Sequence, residues 1–227
     1  MSELNSISLI NDATLEAYYR FETGALTTDS STKGKTLTNN GTVGEEASGR
    51  FGYCADQGTS NSTKYFSIAN KCNYTGGAYS IAGWWKIRTE PTATGVLYWV
   101  GDSVSITQLR LYYFLNGSDL TFRFGRSRII ANDFTDVVYT MGTTSWHHLV
   151  LTYDGTNYLL YIDKVSQGGS TSTGNGSGST SDFLGIGSEG SQFASSYIDD
   201  VACFSKALSQ TEINNLYEES GAFLAFL

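Results

Sequence analysis

The segment Tyr197-Ile198-Asp199-Asp200-Val201-Ala202-Cys203-Phe204 sets a carboxylate inside a run that reads as a β-strand. Side chains alternate between the faces of a strand, so Asp199, Val201 and Cys203 are expected to share one face. If Val201 and Cys203 enter a core, Asp199 begins buried. An isolated buried carboxylate is costly, and either a cation or a set of hydrogen-bond donors must compensate it. Acid-base chemistry on a glycosidic bond would need two carboxylates converging on one side. The pairs Glu45-Glu46, Asp199-Asp200 and Glu218-Glu219 do not offer that, because adjacent residues on a strand face opposite ways. There is no Gly-x-Ser-x-Gly turn and no His-Glu-x-x-His spacing, and His147-His148 has no second ligand cluster nearby. No catalytic residue is assigned, and an enzyme is not expected.

The elements that must position such groups are mostly strands. Leu15–Phe21 alternates, with Leu15, Ala17, Tyr19 and Phe21 on one face and Glu16, Tyr18 and Arg20 on the other. Further strands are predicted at Tyr65–Ala69, Ser80–Ile87, Val96–Val100, Leu109–Leu115, Leu120–Arg126, Trp146–Tyr153 and Tyr158–Ile162. Asn116-Gly117-Ser118-Asp119 and Asp154-Gly155-Thr156-Asn157 read as tight hairpin turns. Consecutive hairpins with almost no helix imply an all-β, antiparallel two-sheet sandwich. One short C-terminal helix begins at Ser209, where Ser209 and Glu212 form a capping box and Ile213, Leu216 and Tyr217 give one apolar face. Gly168 to Ser181, rich in Gly, Ser and Thr, is expected to be a flexible internal loop within a single domain spanning 1–227.

Composition narrows the partners. The 227 residues carry a formal charge of −8 with 40% hydrophobic and 14% aromatic residues. That is a globular composition without the positive footprint that nucleic acid or an anionic membrane requires. No apolar run approaches the roughly 18 residues of a membrane span, and the start lacks the basic and apolar regions of a secretion signal. Cys54, Cys72 and Cys203 show no Cys-x-x-Cys spacing. They are read as buried or free thiols, with a Cys54–Cys72 bridge as the alternative.

Two blocks carry a family resemblance: Ser145 to Thr156 followed by Leu159 to Asp163, and Tyr197 to Phe204 followed by Lys206 to Tyr217. Their order and wording resemble the laminin-G-like jelly roll, a branch of the concanavalin A-like lectin/glucanase superfamily. Leu15–Glu22, Thr28-Asp29-Ser30-Ser31 and the central Trp84 of Ile81–Lys86 extend it. Thr32-Lys33 and Asp163-Lys164-Val165 depart from it, lacking glycines usual there. The resemblance implies a jelly-roll sandwich and a structural Ca²⁺ held by Asp199 and Asp29, with Glu22 as a third ligand. The Glu-x-Asp-x-Glu strand of the superfamily's glucanases is absent.

Lectin-type sites stack the apolar face of a sugar on Trp or Tyr. Trp84-Trp85 and Tyr112-Tyr113 must each split across a strand, so each pair places one ring outward. Trp84, Trp99, Tyr112 and Tyr113 are therefore the candidate ligand contacts. The function expected is a non-enzymatic recognition module for a glycan or glycoprotein surface, outside the cell or on a virion. The alternative is a structural assembly or adhesion protein of a virion or cell surface. There the apolar tail, Phe223 to Leu227, would meet a neighbour or a second copy.

Overall fold

The computed structural model describes residues 9, 11–59, 63–69, 72, 77–88, 94–101, 106–116, 119–128, 132–139, 145–171, 183–189 and 192–222. Two antiparallel sheets face one another across an apolar core. The first has eight strands: β1 (Leu15–Tyr19), β3 (Gly44–Glu46), β4 (Cys54–Asp56), β6 (Tyr79–Ile87), β11 (His147–Tyr153), β12 (Asn157–Ile162), β13 (Val165–Thr171) and β17 (Ser196–Phe204). Their order is β13-β12-β11-β6-β17-β4-β3, with β1 also paired to β17. The second has seven: β2 (Thr38–Asn40), β5 (Tyr65–Ala69), β7 (Gly95–Gly101), β8 (Ile106–Asn116), β9 (Asp119–Arg128), β10 (Asn132–Tyr139) and β14 (Phe183–Ile186). These run β10-β9-β8-β7-β14-β5-β2, and a small hairpin of β15 (Ser188–Glu189) and β16 (Gln192–Phe193) completes the β-structure. The expected jelly-roll sandwich with one short C-terminal helix is what the chain forms.

Alternation decides the core. Ile81 and Trp85 of β6, Leu149 and Leu151 of β11, and Val201 and Cys203 of β17 meet Phe66, Tyr98, Leu111, Phe122 and Phe124 of the other sheet. Each such side chain contributes roughly 1.5–3 kcal/mol on leaving water. The sheets are also tied by polar bonds. Gln57 Nε2 donates to the Ile186 carbonyl at 3.1 Å, and Gln57 Oε1 accepts from Ser196 Oγ at 2.7 Å. Gly187 lies so close to this amide that a Cβ there would fall 1.6 Å from Gln57 Nε2.

Helix α1 (Gln210–Ala222) covers the outer face of the eight-stranded sheet. The capping box forms: Ser209 N–H and Oγ both reach a Glu212 carboxylate oxygen at 2.8 Å, and Glu212 N–H returns to Ser209 Oγ at 3.4 Å. Ile213 and Leu216 then pack on Tyr18, Ala82, Val150, Ala202 and Phe204, a second apolar cluster outside the main core. This corrects the reading of β1. A register shift between Leu15 and Ala17 turns Leu15 toward the helix, onto the face where Tyr18 is buried opposite Ala17 and Tyr19.

Two further expectations change. The segment Gly168–Thr171 is the end of edge strand β13 and not a loop, while 172–181 lie outside the described residues. Pairing with β12 through an irregular register orders the glycines, and a Cβ on Gly169 would meet the Tyr158 carbonyl at 2.5 Å. The turn into β13 forms without glycine. Asp163 and Lys164 both hold positive φ, 48° and 64°, the geometry of a tight hairpin. Asp163 offsets that strain by accepting from the His148 N–H at 2.9 Å and bonding His147 Nδ1 at 2.6 Å.

Candidate functional site

The outer face of the seven-stranded sheet gathers an unusual row. Val96, Trp99, Tyr112 and Phe114 form an apolar cluster on the side away from the core. Cross-strand partners share a face, and the register sets Arg110 opposite Trp99, Arg123 opposite Tyr112, and Asp136 opposite Arg123. The Arg110 guanidinium lies 4.2 Å from the Tyr112 ring centre, and that of Arg123 lies 5.0 Å from Phe114. Arg123 grips Asp136 at both carboxylate oxygens, Nη2 to Oδ2 being 2.6 Å. That fork holds the Asp136 carboxyl below its ordinary range. Arg110 bonds Gln192 of the β15–β16 hairpin, which fixes the other end of the row.

Trp99 and Tyr112 are only 6% and 7% exposed, while Phe114 is half-buried. The row therefore offers ring edges and stacked guanidinium planes, a surface of alternating apolar and planar hydrogen-bonding character. Arg110, Arg123 and Asp136 escaped the sequence reading. The signal lay in the every-second-residue spacing of Arg110, Tyr112 and Phe114, but only cross-strand register brings in Arg123 and Asp136.

The other two aromatic candidates are enclosed. Tyr113 alternates inward into the main core, where its hydroxyl accepts the Ser195 N–H at 2.8 Å and burial pushes its pKa up to about 12. Trp84 does split outward from Trp85, but on the eight-stranded sheet and at 3% exposure. Four groups surround it: the Arg50 guanidinium at 4.5 Å, Tyr217 stacked at 5.4 Å, His148 at 5.1 Å and Phe51 edge-on at 5.9 Å.

Beside Trp84 sits the carboxylate cluster. Asp199 is fully buried, as alternation anticipates, but on the outer face. Its strand partner is Trp84, and one residue is inserted before Ala202, which pairs with Ala82. That bulge puts Asp200 at φ 47° and leaves Val201 pointing inward. Asp199 Oδ2 accepts the Phe51 N–H at 2.9 Å and Oδ1 accepts the Asp200 N–H at 2.9 Å. Asp200 Oδ1 accepts the Tyr18 hydroxyl at 2.7 Å, and its Oδ2 is buried with no hydrogen-bond partner. Burial, then the charge of Asp200, pushes Asp199 well above the usual carboxylate range, and burial pushes Asp200 up to about 7. The Glu22 carboxylate raises both.

Asp29 stands apart. Its Oδ1 accepts the N–H groups of Tyr18 and Ser31, and its Oδ2 accepts Ser31 Oγ and the Lys35 N–H, all within 2.9 Å. Both oxygens are filled by protein donors that shape the loop after β1. At this end of the sheet, the buried carboxylate oxygen without a partner among the described residues is Asp200 Oδ2, with Asp199 and Glu22 as neighbours. Among the described residues, no three His, Cys, Asp or Glu side chains converge as a metal shell. Nor is any helix there long and apolar enough to cross a membrane.

These features define a class. The chain matches the concanavalin A-like lectin/glucanases superfamily over residues 59–214, and it belongs to that family. Among solved structures it resembles domain 4 of an extracellular arabinanase from Geobacillus stearothermophilus, in complex with arabinotriose. That likeness has a TM-score of 0.70 at 19% identity, covering 90% of this chain and 98% of that one. It also resembles the binding domain of botulinum neurotoxin DC in complex with SialylT, at TM-score 0.68, 16% identity and 93% coverage of this chain. A structure described through botulinum neurotoxin type C's interaction with two ganglioside molecules superposes at TM-score 0.71, 14% identity and 94% coverage. This chain spans about half of those toxin domains, 52% and 53%. No curated protein matches the sequence.

Proposed function

We propose that this chain is a non-enzymatic carbohydrate-binding module whose ligand lies across the outer face of the seven-stranded sheet. The observation that carries the reading is the Tyr112–Arg123–Asp136 row beside Trp99, Arg110 and Phe114. A pyranose or furanose offers apolar C–H faces to the rings and hydroxyls to the guanidinium and carboxylate groups. The arabinanase domain and the toxin domains, with carbohydrate ligands in their descriptions, support the reading by fold. A non-catalytic role is supported by Asp136, which Arg123 already holds ionised and engaged. The apolar tail on which the assembly alternative rests lies outside the described residues.

A glycan array including arabino-oligosaccharides, followed by titration calorimetry, tests this. Wild type binds at least one oligosaccharide, and Phe114→Ala and Arg123→Ala each weaken it about tenfold with little change in melting temperature. An array without a wild-type binder overturns the reading.

A structural Ca²⁺ is part of the proposal in narrowed form, at Asp200 with Asp199 and Glu22 and without Asp29. Support comes from the orphaned Asp200 Oδ2 and from the crowding of negative charge, Asp200 and Glu22 pushing Asp199 up and Glu22 pushing Asp200 up. Backbone carbonyls would have to complete the shell, and the ion would supply charge neutralisation. Ca²⁺ should raise the melting temperature, EDTA should lower it, and Asp200→Asn should abolish the response. No shift on either addition removes the ion.

A further inference from the structure

Cys72 and Cys203 come from distant parts of the chain, yet both are fully buried in the main core. Cys203 lies on the inner face of β17, paired with Ile81 and Ala17. Cys72 sits between β5 and β6 at a positive φ of 51°, which an L-residue adopts at a cost. That conformation aims its thiol inward, where the two thiols touch as hydrogen-bond partners. Tyr79 closes the group, its hydroxyl also in contact with Cys203. A thiol is a weak donor and a poor reason to hold a strained backbone.

The third cysteine is excluded from this group. Cys54 is buried on the opposite face of the same sheet, where Asp199, Glu46, Asp56 and Lys86 are its charged neighbours. A Cys54–Cys72 bridge, the pairing considered from sequence, would have to cross the sheet. The three thiols are free as the structure stands.

We propose that Cys72 and Cys203 form a site of oxidation, closing to a disulfide that staples the β5–β6 connection to β17. The oxidant is a small-molecule disulfide such as oxidised glutathione. One cysteine thiolate attacks it and releases one glutathione thiol. The second cysteine then displaces the remaining glutathione, so two protein S–H bonds become one S–S bond and one disulfide becomes two thiols. The exchange occurs before the sheets close, because in the folded chain both sulfurs are out of reach of a solvent-borne disulfide, and the Cys203 contact and burial disfavour the Cys72 thiolate. Once formed, the bond is equally shielded from reductants.

The chain, refolded in a glutathione redox buffer, is denatured with iodoacetamide and weighed. One alkylated cysteine is expected in wild type and none in Cys54→Ser, with a peptide map joining Cys72 to Cys203. Chain refolded instead under a reductant, so that the bond never closes, should melt roughly 5–15 °C lower. Three alkylated cysteines in wild type, or a bond that includes Cys54, overturns the proposal. The Cys54→Ser protein leaves the core pair intact, so its alkylation count decides the outcome without disturbing the core.

Discussion

The Tyr217 ring of helix α1 stacks on Trp84 of β6, their centres 5.4 Å apart and their planes inclined by 29°. The stack continues at both ends, with Lys164 5.2 Å from the Tyr217 ring and Arg50 4.5 Å from Trp84. One tryptophan therefore holds the helix and the β3–β4 loop on the same face of the sheet. Tyr217→Ala should cost about 1–2 kcal/mol in urea unfolding, from lost ring area and stacking. It should also shift the tryptophan emission to the red, as Trp84 meets water. An unchanged spectrum with unchanged stability would mean the helix is held by Ile213 and Leu216 alone.

His148 and Asp200 give the protein two opposed responses to acid. Burial pulls His148 down from 6.5 to about 4, and its Nδ1 has no hydrogen-bond partner. Between those values the unfolded chain takes a proton that the folded chain refuses. Stability falls as pH drops through this window, by about 3 kcal/mol in full. Asp200 moves from 3.8 up to about 7, so the folded chain keeps a proton that the unfolded chain releases, and stability rises as pH drops from 7 to 4. Urea melts between pH 4 and 7.5 should show a shallow slope in wild type. His148→Gln should gain stability on acidification, and Asp200→Asn should lose it. Parallel slopes in the two variants would contradict this account.

Gly187 offers a sharper test of how the sheets are joined. Its φ is +92°, and a Cβ would fall on the Gln57 amide that bridges Ile186 and Ser196. Gly187→Ala should cost more than about 2 kcal/mol by strain and by loss of that bridge. Thermal melts of Gly187→Ala, Gln57→Ala and the double variant measure it. Full additivity would show that the amide and the glycine act independently.

Long alternating runs were legible from sequence. The strands at Tyr65–Ala69, Ser80–Ile87 and Trp146–Tyr153, and the capping box at Ser209, needed no tertiary information. Strands β2, β3 and β4, three residues each, are too short to show a period. Their order comes from partners far away in the chain. Asp199 was legible as a buried acid because Val201 and Cys203 flag the strand, but its face was not. The inserted residue appears only when the strand is laid against β6. Asp29 looked like a ligand by its neighbours in sequence, while its actual donors include the Tyr18 N–H, eleven positions upstream. Arg123 and Asp136 carry no local signal, since they meet only through the β9–β10 register.

That inserted residue separates what the fold needs from what the carboxylate cluster needs. From Asp199 to Ala202, β17 uses three steps where β6 uses two, between Trp84 and Ala82. Excising Asp200 would leave Ile198, Val201 and Cys203 facing the core and Ala202 and Phe204 facing the helix. Asp200 is thus an inserted residue whose single codon could be removed without rethreading the strand that carries it.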